Sequence, residues 1–264
     1  MVNKCDLKGE ISSKQLSLNI NKWIYGELIN TKKLTEKYIQ NYRFDEAAKS
    51  IYKFVWNSYC DWYLELSKTI LFSNNKKDII EVKKTSGQIF KEILILLHPF
   101  IPFITEELWL KNKLKTKTSK YLMHANWLKD KKLKADKEVE NVNQIIKIIS
   151  SIRSFKNELN ITPGSFIDVS IEKIGKNKQI LFFKNEVVIK KLGRINSILN
   201  QDLPKQSATL VISGEILKLY FDKSVDLDTI KQNLTKKQSK IQQDLDIISK
   251  KLNNFTFKRC SYIN

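Results

Sequence analysis

The feature that constrains this chain most is the segment 43–68, RFDEAAKSIYKFVWNSYCDWYLELSK. Apolar residues recur along it every three or four positions, which places them in one stripe and predicts a helix with that stripe buried. Outside the stripe lie aromatic and hydrogen-bonding residues, where a helix of a plain bundle would carry Glu and Lys. This surplus indicates a binding partner. The stripe is Phe44, Ala47, Ala48, Ile51, Val55, Tyr59, Trp62 and Leu66, and the surplus is Tyr52, Phe54, Trp56, Asn57, Asp61 and Tyr63.

The same kind of periodicity predicts further helices on both sides of this segment. Helices are expected over 14–40, 43–72 and 77–98, the last ending at His98-Pro99 because proline disfavours a helical residue before it. A fourth helix begins near Pro102, with Leu108 and Trp109 pointing inward, and YLMHANW at 121–127 could pack against the group. A fifth helix is expected over 136–159, before the turn signal at Pro163-Gly164. We expect the first four helices to pack together as a bundle.

The second half of the chain changes in character. Runs of β-branched residues at 166–171, 194–199, 207–212 and 215–221, with a helical pattern at 177–192, predict a small sheet packed with helices. From Val225 onward, apolar residues repeat at heptad-like intervals, interrupted by Lys237. The fold class is therefore mainly α: a helical bundle over 1–130, a small α/β module over 131–224 and a coiled-coil-like helix over 225–264. The heptad positions are Leu227, Ile230, Leu234, Ile241, Leu245, Ile248, Leu252 and Phe255.

The charge of the chain favours an anionic partner such as a nucleic acid. The formal net charge is +19, from 47 Lys and Arg against 28 Asp and Glu. Cations that neutralise phosphates produce salt-sensitive binding. Only Arg43, Arg153, Arg194 and Arg259 are arginines, and an abundance of Lys, Asn and Ile can reflect genome composition. Charge alone therefore does not decide between a nucleic-acid-binding protein and another basic protein.

Several classes of site are disfavoured. Cys5, Cys60 and Cys260 are too far apart to indicate a zinc site or a disulfide framework. His98 and His124 have no companions at ligand or catalytic spacing, and no glycine-rich phosphate loop occurs, so we expect neither catalytic residues nor a cofactor in this chain. No apolar stretch reaches the length of about 18 residues that a membrane helix needs, and no secretion signal is seen. The expected location is the cytoplasm.

Two segments carry a resemblance to a known family. WNSYCDWYLELSK at 56–68 and HPFIPFITEELW at 98–109 resemble the anticodon-binding helical domain of class I aminoacyl-tRNA synthetases, and within that class the valyl-tRNA synthetase family. Further similar stretches are NKWI at 21–24, NYRFDEAA at 41–48 and SIRSFKNELNITP at 151–163. The resemblance implies that the chain is the C-terminal, tRNA-binding part of such an enzyme, with tRNA(Val) as its partner.

The resemblance also sets expectations about chemistry and assembly. Enzymes of this class bind ATP in a domain with HIGH-like and KMSKS-like signatures, and neither occurs here, since KTKTSKY at 115–121 lacks the pattern. We therefore expect the chain to be inactive alone, with ATP used only by the intact enzyme. A separate polypeptide could supply catalysis. The family's arm consists of two antiparallel helices. Only the first is found here, so the arm is expected to be truncated and the chain monomeric.

Seven residues are candidates for contact with tRNA. Arg43 and Phe44 follow the turn-like Asn41-Tyr42 and could bind or stack on unpaired bases, although Phe44 could instead be a hydrophobic staple. Asn57 and Asp61 are one helical turn apart and could read base edges, or form a local surface pair. Arg153 and Lys156 could contact phosphate, or could simply favour the helix dipole. The candidates are Asn41, Arg43, Phe44, Asn57, Asp61, Arg153 and Lys156.

Two other functions stay open. A general basic RNA-binding module would use the same charge without anticodon preference, and a helical interaction protein would dimerise through residues 227–255. Lys237 lies on the apolar stripe of that helix. A basic residue at a core position weakens a coiled coil, which argues against a strong dimer.

Overall fold

The computed structural model describes residues 5–7, 11, 15–115, 119–127, 136–159, 161–162, 164–171, 173–203, 207–212, 214–221 and 227–253. It consists of two compact units: Met1–Ile148 with Ile180–Leu192, and Ile149–Gln179 with Gly193–Asn264. The predicted domain limits at 130 and 224 stay predictions. The mainly α fold with a small α/β part is confirmed. Among the described helices, none combines the length and apolar character needed to cross a membrane.

The first unit contains the predicted bundle. Short links between helices α1 to α4 make successive segments antiparallel. The end of α1, the start of α2 and the end of α4 therefore lie at the same end of the bundle, and α5 begins there. We call residues 41–44 and 98–104 at this end the bundle tip. The helices are α1 Asn19–Gln40, α2 Phe44–Lys53, a π-helix Phe54–Tyr63, α3 Leu64–Leu71, α4 Lys76–Leu97 and α5 Pro102–Lys111.

The π-helix changes which residues of the central segment are buried. The sequence predicts one continuous α-helix, but at its end the N–H of Leu64 donates to the carbonyl of Tyr59, five residues earlier. The wider turn shifts the buried stripe to Phe54, Tyr59 and Tyr63, so the prediction that Phe54 and Tyr63 lie outside the stripe is wrong. Four residues expected in the core are not buried: Ala48, Val55 and Trp62 are only half-buried, and Phe44 is 53% exposed.

A buried carboxylate joins α1 to α4 at the other end of the bundle. Glu81 accepts hydrogen bonds from the backbone N–H groups of Ser17 and Leu18, both at 3.0 Å, and from the side-chain amide of Asn21 at 2.8 Å. The hydroxyl of Tyr63 donates to the other side of the Asn21 amide at 2.8 Å. Three segments of the bundle are thus fixed to one another by a polar network inside the core.

The segment after α5 packs against the bundle, as predicted. Leu122, in a short 3₁₀ turn Leu122–His124, shares a buried cluster with Leu94, Trp109 and Leu114. The indole N–H of Trp127 donates to Glu36 at 2.7 Å. The inward position of Trp109 is confirmed. That of Leu108 is wrong, because this side chain is 36% exposed.

The second unit contains a mixed four-stranded sheet with strand order β2-β1-β4-β3. Strands β1 and β2 are parallel, with Ile167 opposite Ile195, whereas β4 is antiparallel to both β1 and β3. All four predicted strands are confirmed, and the helical pattern at 177–192 forms two helices. The strands of this unit are β1 Ile167–Ser170, β2 Ile195–Leu199, β3 Ser207–Ile212 and β4 Glu215–Phe221. Helices α6 Asp136–Glu158 and α7 Lys176–Lys184 are each divided between the two units, and α8 Glu186–Gly193 belongs to the first unit except for its last residue.

The C-terminal helix α9 spans Leu227–Asn253, which confirms the helix predicted from the heptad-like repeat. The side chain of Lys237, and Phe255 at the end of the predicted stripe, lie outside the described residues. Four stripe residues that are described are exposed on the helix: Ile241, Leu245, Ile248 and Leu252.

Candidate nucleic-acid interface

The link between α1 and α2 brings three of the predicted site residues together at the bundle tip. Asn41 ends α1 and donates from its side-chain amide to the carbonyl of Lys37 at 2.7 Å. Tyr42 has a left-handed backbone with φ of 57°, a conformation that is uncommon for residues other than glycine. The N–H of Arg43 then donates to the carbonyl of Tyr38 at 2.8 Å. This turn presents Asn41, Arg43 and Phe44 at one end of a rigid bundle.

Arg43 is exposed, and neighbouring carboxylates orient its guanidinium. Nε and Nη2 lie 3.2 and 3.3 Å from the two carboxylate oxygens of Asp45, and Glu46 lies 3.6 Å from Nη2. The hydrogen bond to Asp45 raises the pKa of Arg43 above its ordinary value, and the same contact lowers the pKa of Asp45. The guanidinium is therefore a permanently charged, partly pre-positioned fork.

Exposed aromatic side chains also lie at the bundle tip. Tyr42 is 82% exposed and Phe44 53% exposed, and their rings meet edge to face at 6.4 Å between centroids. The exposure of Phe44 does not support its interpretation as a hydrophobic staple. Phe103, at the start of α5, is 90% exposed, with Ile101 and Ile104 also exposed beside it in the chain. Rings held open to solvent can stack on unpaired bases.

Phe103 and Tyr42 are exposed candidates that the sequence argument did not select. A signal for Phe103 was present in α5, whose apolar residues surround the whole helix. A helix that is apolar on all sides needs cover on all sides, but only Thr105 and Trp109 are buried here. The signal for Tyr42 is weaker, because its exposure depends on the left-handed turn.

The exposed face of the π-helix holds a second group of candidates. Asn57 and Asp61 both face solvent on this segment, and Lys49 and Lys53 face solvent on α2, which precedes it. The rings of Tyr52 and Trp56 stack with planes 3° apart and centroids 6.2 Å apart. This pair was noted in the sequence as aromatic surplus but was not selected as site residues. Tyr52 follows Phe44 by eight residues, about 12 Å along a helix.

Arg153 and Lys156 lie in the other compact unit. Arg153 is exposed, whereas Lys156 is 3% exposed and its ammonium donates to the carbonyl of Ser165. Burial lowers the pKa of Lys156 below its ordinary value, and the positive charges of Arg194 and Arg153 lower it further. This placement supports the structural interpretation of Lys156 over a direct phosphate contact.

The described residues contain no group of three or more His, Cys, Asp or Glu side chains placed to hold a metal ion. Each of the two histidines lies beside a hydroxyl group. His98 Nδ1 lies 2.9 Å from the hydroxyl of Thr105, and His124 Nδ1 lies 2.8 Å from that of Ser119. Exposed aromatic, amide and cationic groups therefore dominate the surfaces described above, and these are groups suited to recognition.

Comparisons with known proteins agree with this assessment. A family described as "Anticodon-binding domain of tRNA ligase" matches residues 21–171. The valine--tRNA ligase of Pelagibacter ubique (strain HTCC1062) is 53% identical over 257 residues, which are 97% of this chain and 29% of the relative. The valine--tRNA ligase of Ruegeria pomeroyi is 32% identical over 90% of this chain and 23% of the relative. The valine--tRNA ligase of Petrotoga mobilis is 35% identical over 90% of this chain and 27% of the relative.

These matches confirm the resemblance found in the sequence, for both the anticodon-binding domain and the valine family. The chain spans less than a third of the length of the curated relatives named here. The family match begins at residue 21, inside α1, and ends at residue 171, just after β1.

Proposed function

The chain belongs to the family of tRNA-ligase anticodon-binding domains, and from this premise we propose that it recognises the anticodon of tRNA(Val) through its bundle tip. Binding to tRNA follows from the family. The choice of tRNA(Val) is supported by relatives that are valine--tRNA ligases over nearly the whole length of this chain. The observation that carries the proposal is the set of exposed rings and the guanidinium fork at one end of the bundle.

The mechanism is recognition of unpaired bases. Bases of a single-stranded loop can be splayed out, stacked on aromatic or guanidinium planes and hydrogen-bonded on their edges. Tyr42, Phe44 and Phe103 supply the stacking surfaces, and Arg43 supplies a planar fork of donors. The amide of Asn41, already anchored to the backbone of α1, adds a directional group beside them.

We propose that the exposed face of the π-helix also contacts the tRNA. Asn57 and Asp61 read base edges from a rigid helix, next to the stacked rings of Tyr52 and Trp56. Lys49 and Lys53 contribute attraction to phosphate without sequence information. Arg153 acts on phosphate in the sheet unit, and Lys156 supports it from the interior.

In the whole enzyme, the tRNA bound here is charged with valine at the expense of ATP by residues outside these 264, on the same or a separate polypeptide. The chain itself contributes binding and uses no cofactor. We propose that it acts as a monomer in the cytoplasm, where translation takes place. The second candidate is a general basic RNA-binding module, favoured by the net charge of +19, which would bind without regard to the anticodon.

A set of variants at the tip tests the proposal. Arg43→Ala removes the fork, Arg43→Lys keeps the charge but loses the bidentate geometry, and Lys49→Ala removes one exposed charge from the same helix. We expect Arg43→Ala to weaken binding of tRNA(Val) by about tenfold or more, and the affinity of Arg43→Lys to lie between those of Arg43→Ala and the wild type. Lys49→Ala should change the affinity by about twofold.

Thermal unfolding of the same variants controls for folding. The side chain of Arg43 is exposed and its carboxylate neighbours are on the surface, so its removal should leave the melting temperature nearly unchanged. Equal losses of affinity for Arg43→Ala and Lys49→Ala would leave only general charge attraction. A parallel loss of affinity and stability for Arg43→Ala would make Arg43 structural.

A further inference from the structure

Three cations converge in the sheet unit around residues 165 and 166. Lys156 reaches from the last turn of α6 to the carbonyl of Ser165. The guanidinium carbon of Arg194 lies 5.9 Å from the centroid of the Phe166 ring. Arg153 precedes Lys156 by three residues on α6, a spacing that places both side chains on one side of the helix. Both Phe166 and Arg194 are exposed, so the cluster opens to solvent.

The backbone fixes the position of Arg194. Its carbonyl accepts a hydrogen bond from the N–H of Ile167 at 3.2 Å, at the start of the parallel pair of β1 and β2. Arg194 has a left-handed φ of 53°, which turns the chain from α8 into β2. Its guanidinium is held against the exposed ring of Phe166 by a cation–π contact. The fork is thus presented on a surface that is already ordered.

The charges in this cluster are mainly positive. The ammonium of Lys156 is buried and contacts a neutral carbonyl, and the two charges that act on its titration are both those of arginines. A carboxylate, that of Asp168, lies on the neighbouring strand β1. It accepts hydrogen bonds from the neutral side chains of Ser197 and, at 3.2 Å, of Asn196. Cations grouped in this way raise the positive potential at the surface above them, and this attracts an anion.

We propose that Arg194, supported by Phe166 and by the charges of Lys156 and Arg153, binds a backbone phosphate of RNA in the sheet unit. The planar fork of an arginine matches the oxygens of a phosphate group and can bind two of them. The exposed ring beside it can take a neighbouring base. This inference rests on the proposed tRNA binding, and it adds a contact that carries no sequence information and is outside the anticodon interface.

The test measures the affinity for tRNA(Val) over a range of salt concentrations for wild-type protein, Arg194→Gln and the control Lys176→Gln. Lys176 is an exposed cation at the start of α7 in the same unit, outside the cluster. We expect Arg194→Gln to weaken binding by about tenfold and to reduce the slope of log affinity against log salt by about 0.7–0.9, the value of one phosphate. Lys176→Gln should change both quantities little.

A second variant, Phe166→Leu, removes the ring that supports the guanidinium while keeping an apolar side chain. It should weaken binding by about threefold, and circular dichroism with thermal unfolding should show both variants folded. Affinity and slope unchanged in Arg194→Gln, or losses equal to those in Lys176→Gln, would overturn the inference.

The same data separate this inference from the proposed function. Discrimination between the native and an altered anticodon should be the same in Arg194→Gln as in the wild type, because phosphate contacts carry no base information. If the wild type discriminates but Arg194→Gln binds normally, only the phosphate site fails. If the wild type binds tRNA without discrimination and Arg194→Gln weakens it, the anticodon proposal fails and the phosphate site stands. If the wild type binds no tRNA, both fail.

Discussion

Glu81 takes the place of a helix cap for α1, and its replacement by Gln is a sharp test of what holds the bundle together. Leu18, at the N-cap position, has no side-chain acceptor to offer. Glu81 instead accepts from the N–H groups of Ser17 and Leu18, from the Ser17 hydroxyl and from the amide of Asn21. The residue is 7% exposed, so these donors have little access to water as an alternative partner.

The expected loss can be worked out from these contacts. A hydrogen bond to a charged group contributes about 1.5–3 kcal/mol, and a Gln would keep a single neutral acceptor while turning its NH₂ group toward donors. Since contacts in one network are not additive, we expect Glu81→Gln to lower the free energy of unfolding by about 3 kcal/mol. For a unit of this size that corresponds to a melting temperature lower by about 6–12 °C.

The effect should depend on pH in a defined direction. Burial would raise the pKa of Glu81, but the hydrogen bonds from Ser17, Asn21 and the backbone outweigh it and leave the pKa below its ordinary value of 4.5. The stability that the ionised carboxylate contributes is therefore fully present above about pH 4.5 and is lost as the pH falls through the folded-state pKa. The difference between wild type and Glu81→Gln should narrow over that acidic range.

Urea unfolding at about pH 7 and at several values below about pH 4.5 measures both effects. Glu107→Gln is the matched control, because Glu107 is an exposed residue of α5 whose partner is the exposed Lys111 at 3.1 Å. This change should stay within about 0.5 kcal/mol of wild type. The reasoning would be refuted if Glu81→Gln stayed within about 0.5 kcal/mol of the wild type at neutral pH. It would also be refuted if the difference in unfolding free energy between the two proteins stayed constant as the pH falls.

Two further predictions concern packing, and both are measured by urea unfolding. A Cβ added at Gly87 would lie 2.2 Å from the carbonyl oxygen of Asp6. Gly87→Ala should therefore destabilise the first unit by about 1–3 kcal/mol, even though Ala stabilises a helix by roughly 1 kcal/mol relative to Gly. A stabilised variant would contradict this close approach. Trp109→Ala should lower the free energy of unfolding by about 3–5 kcal/mol, whereas Phe103→Ala should change it by less than about 0.5 kcal/mol because that ring is exposed. Similar losses of stability in the two variants would contradict the assignment of the two faces of α5.

Much of the fold could be predicted because its helices and strands carry clear periodicities. The π-helix could not, because Ala47, Ile51, Val55 and Tyr59 keep a regular spacing of four residues from α2 into the segment where the turn widens. The shift that buries Phe54 and Tyr63 is set by packing against α1 and α4, through contacts such as Tyr63 with Asn21. Local sequence does not contain that information.

The candidate site was predictable to a similar extent. Arg43 and Phe44 could be selected because a turn signal precedes them, and the structure places both at an exposed tip. The burial of Lys156 depends on the carbonyl of Ser165 in the following turn, and the exposure of Phe103 depends on which face of α5 meets α4. Both are tertiary properties, so residue type and spacing could suggest these positions but could not decide their environment.

The most direct test of the account compares binding of the chain to tRNA(Val) with binding to the same tRNA carrying altered anticodon bases, at two salt concentrations. Base contacts should persist as phosphate attraction is screened. The account predicts that the native anticodon binds tighter at both salt concentrations, by about tenfold or more for a well-made bidentate contact. Equal affinities that decline together as salt rises would contradict it and would leave a general basic RNA-binding protein.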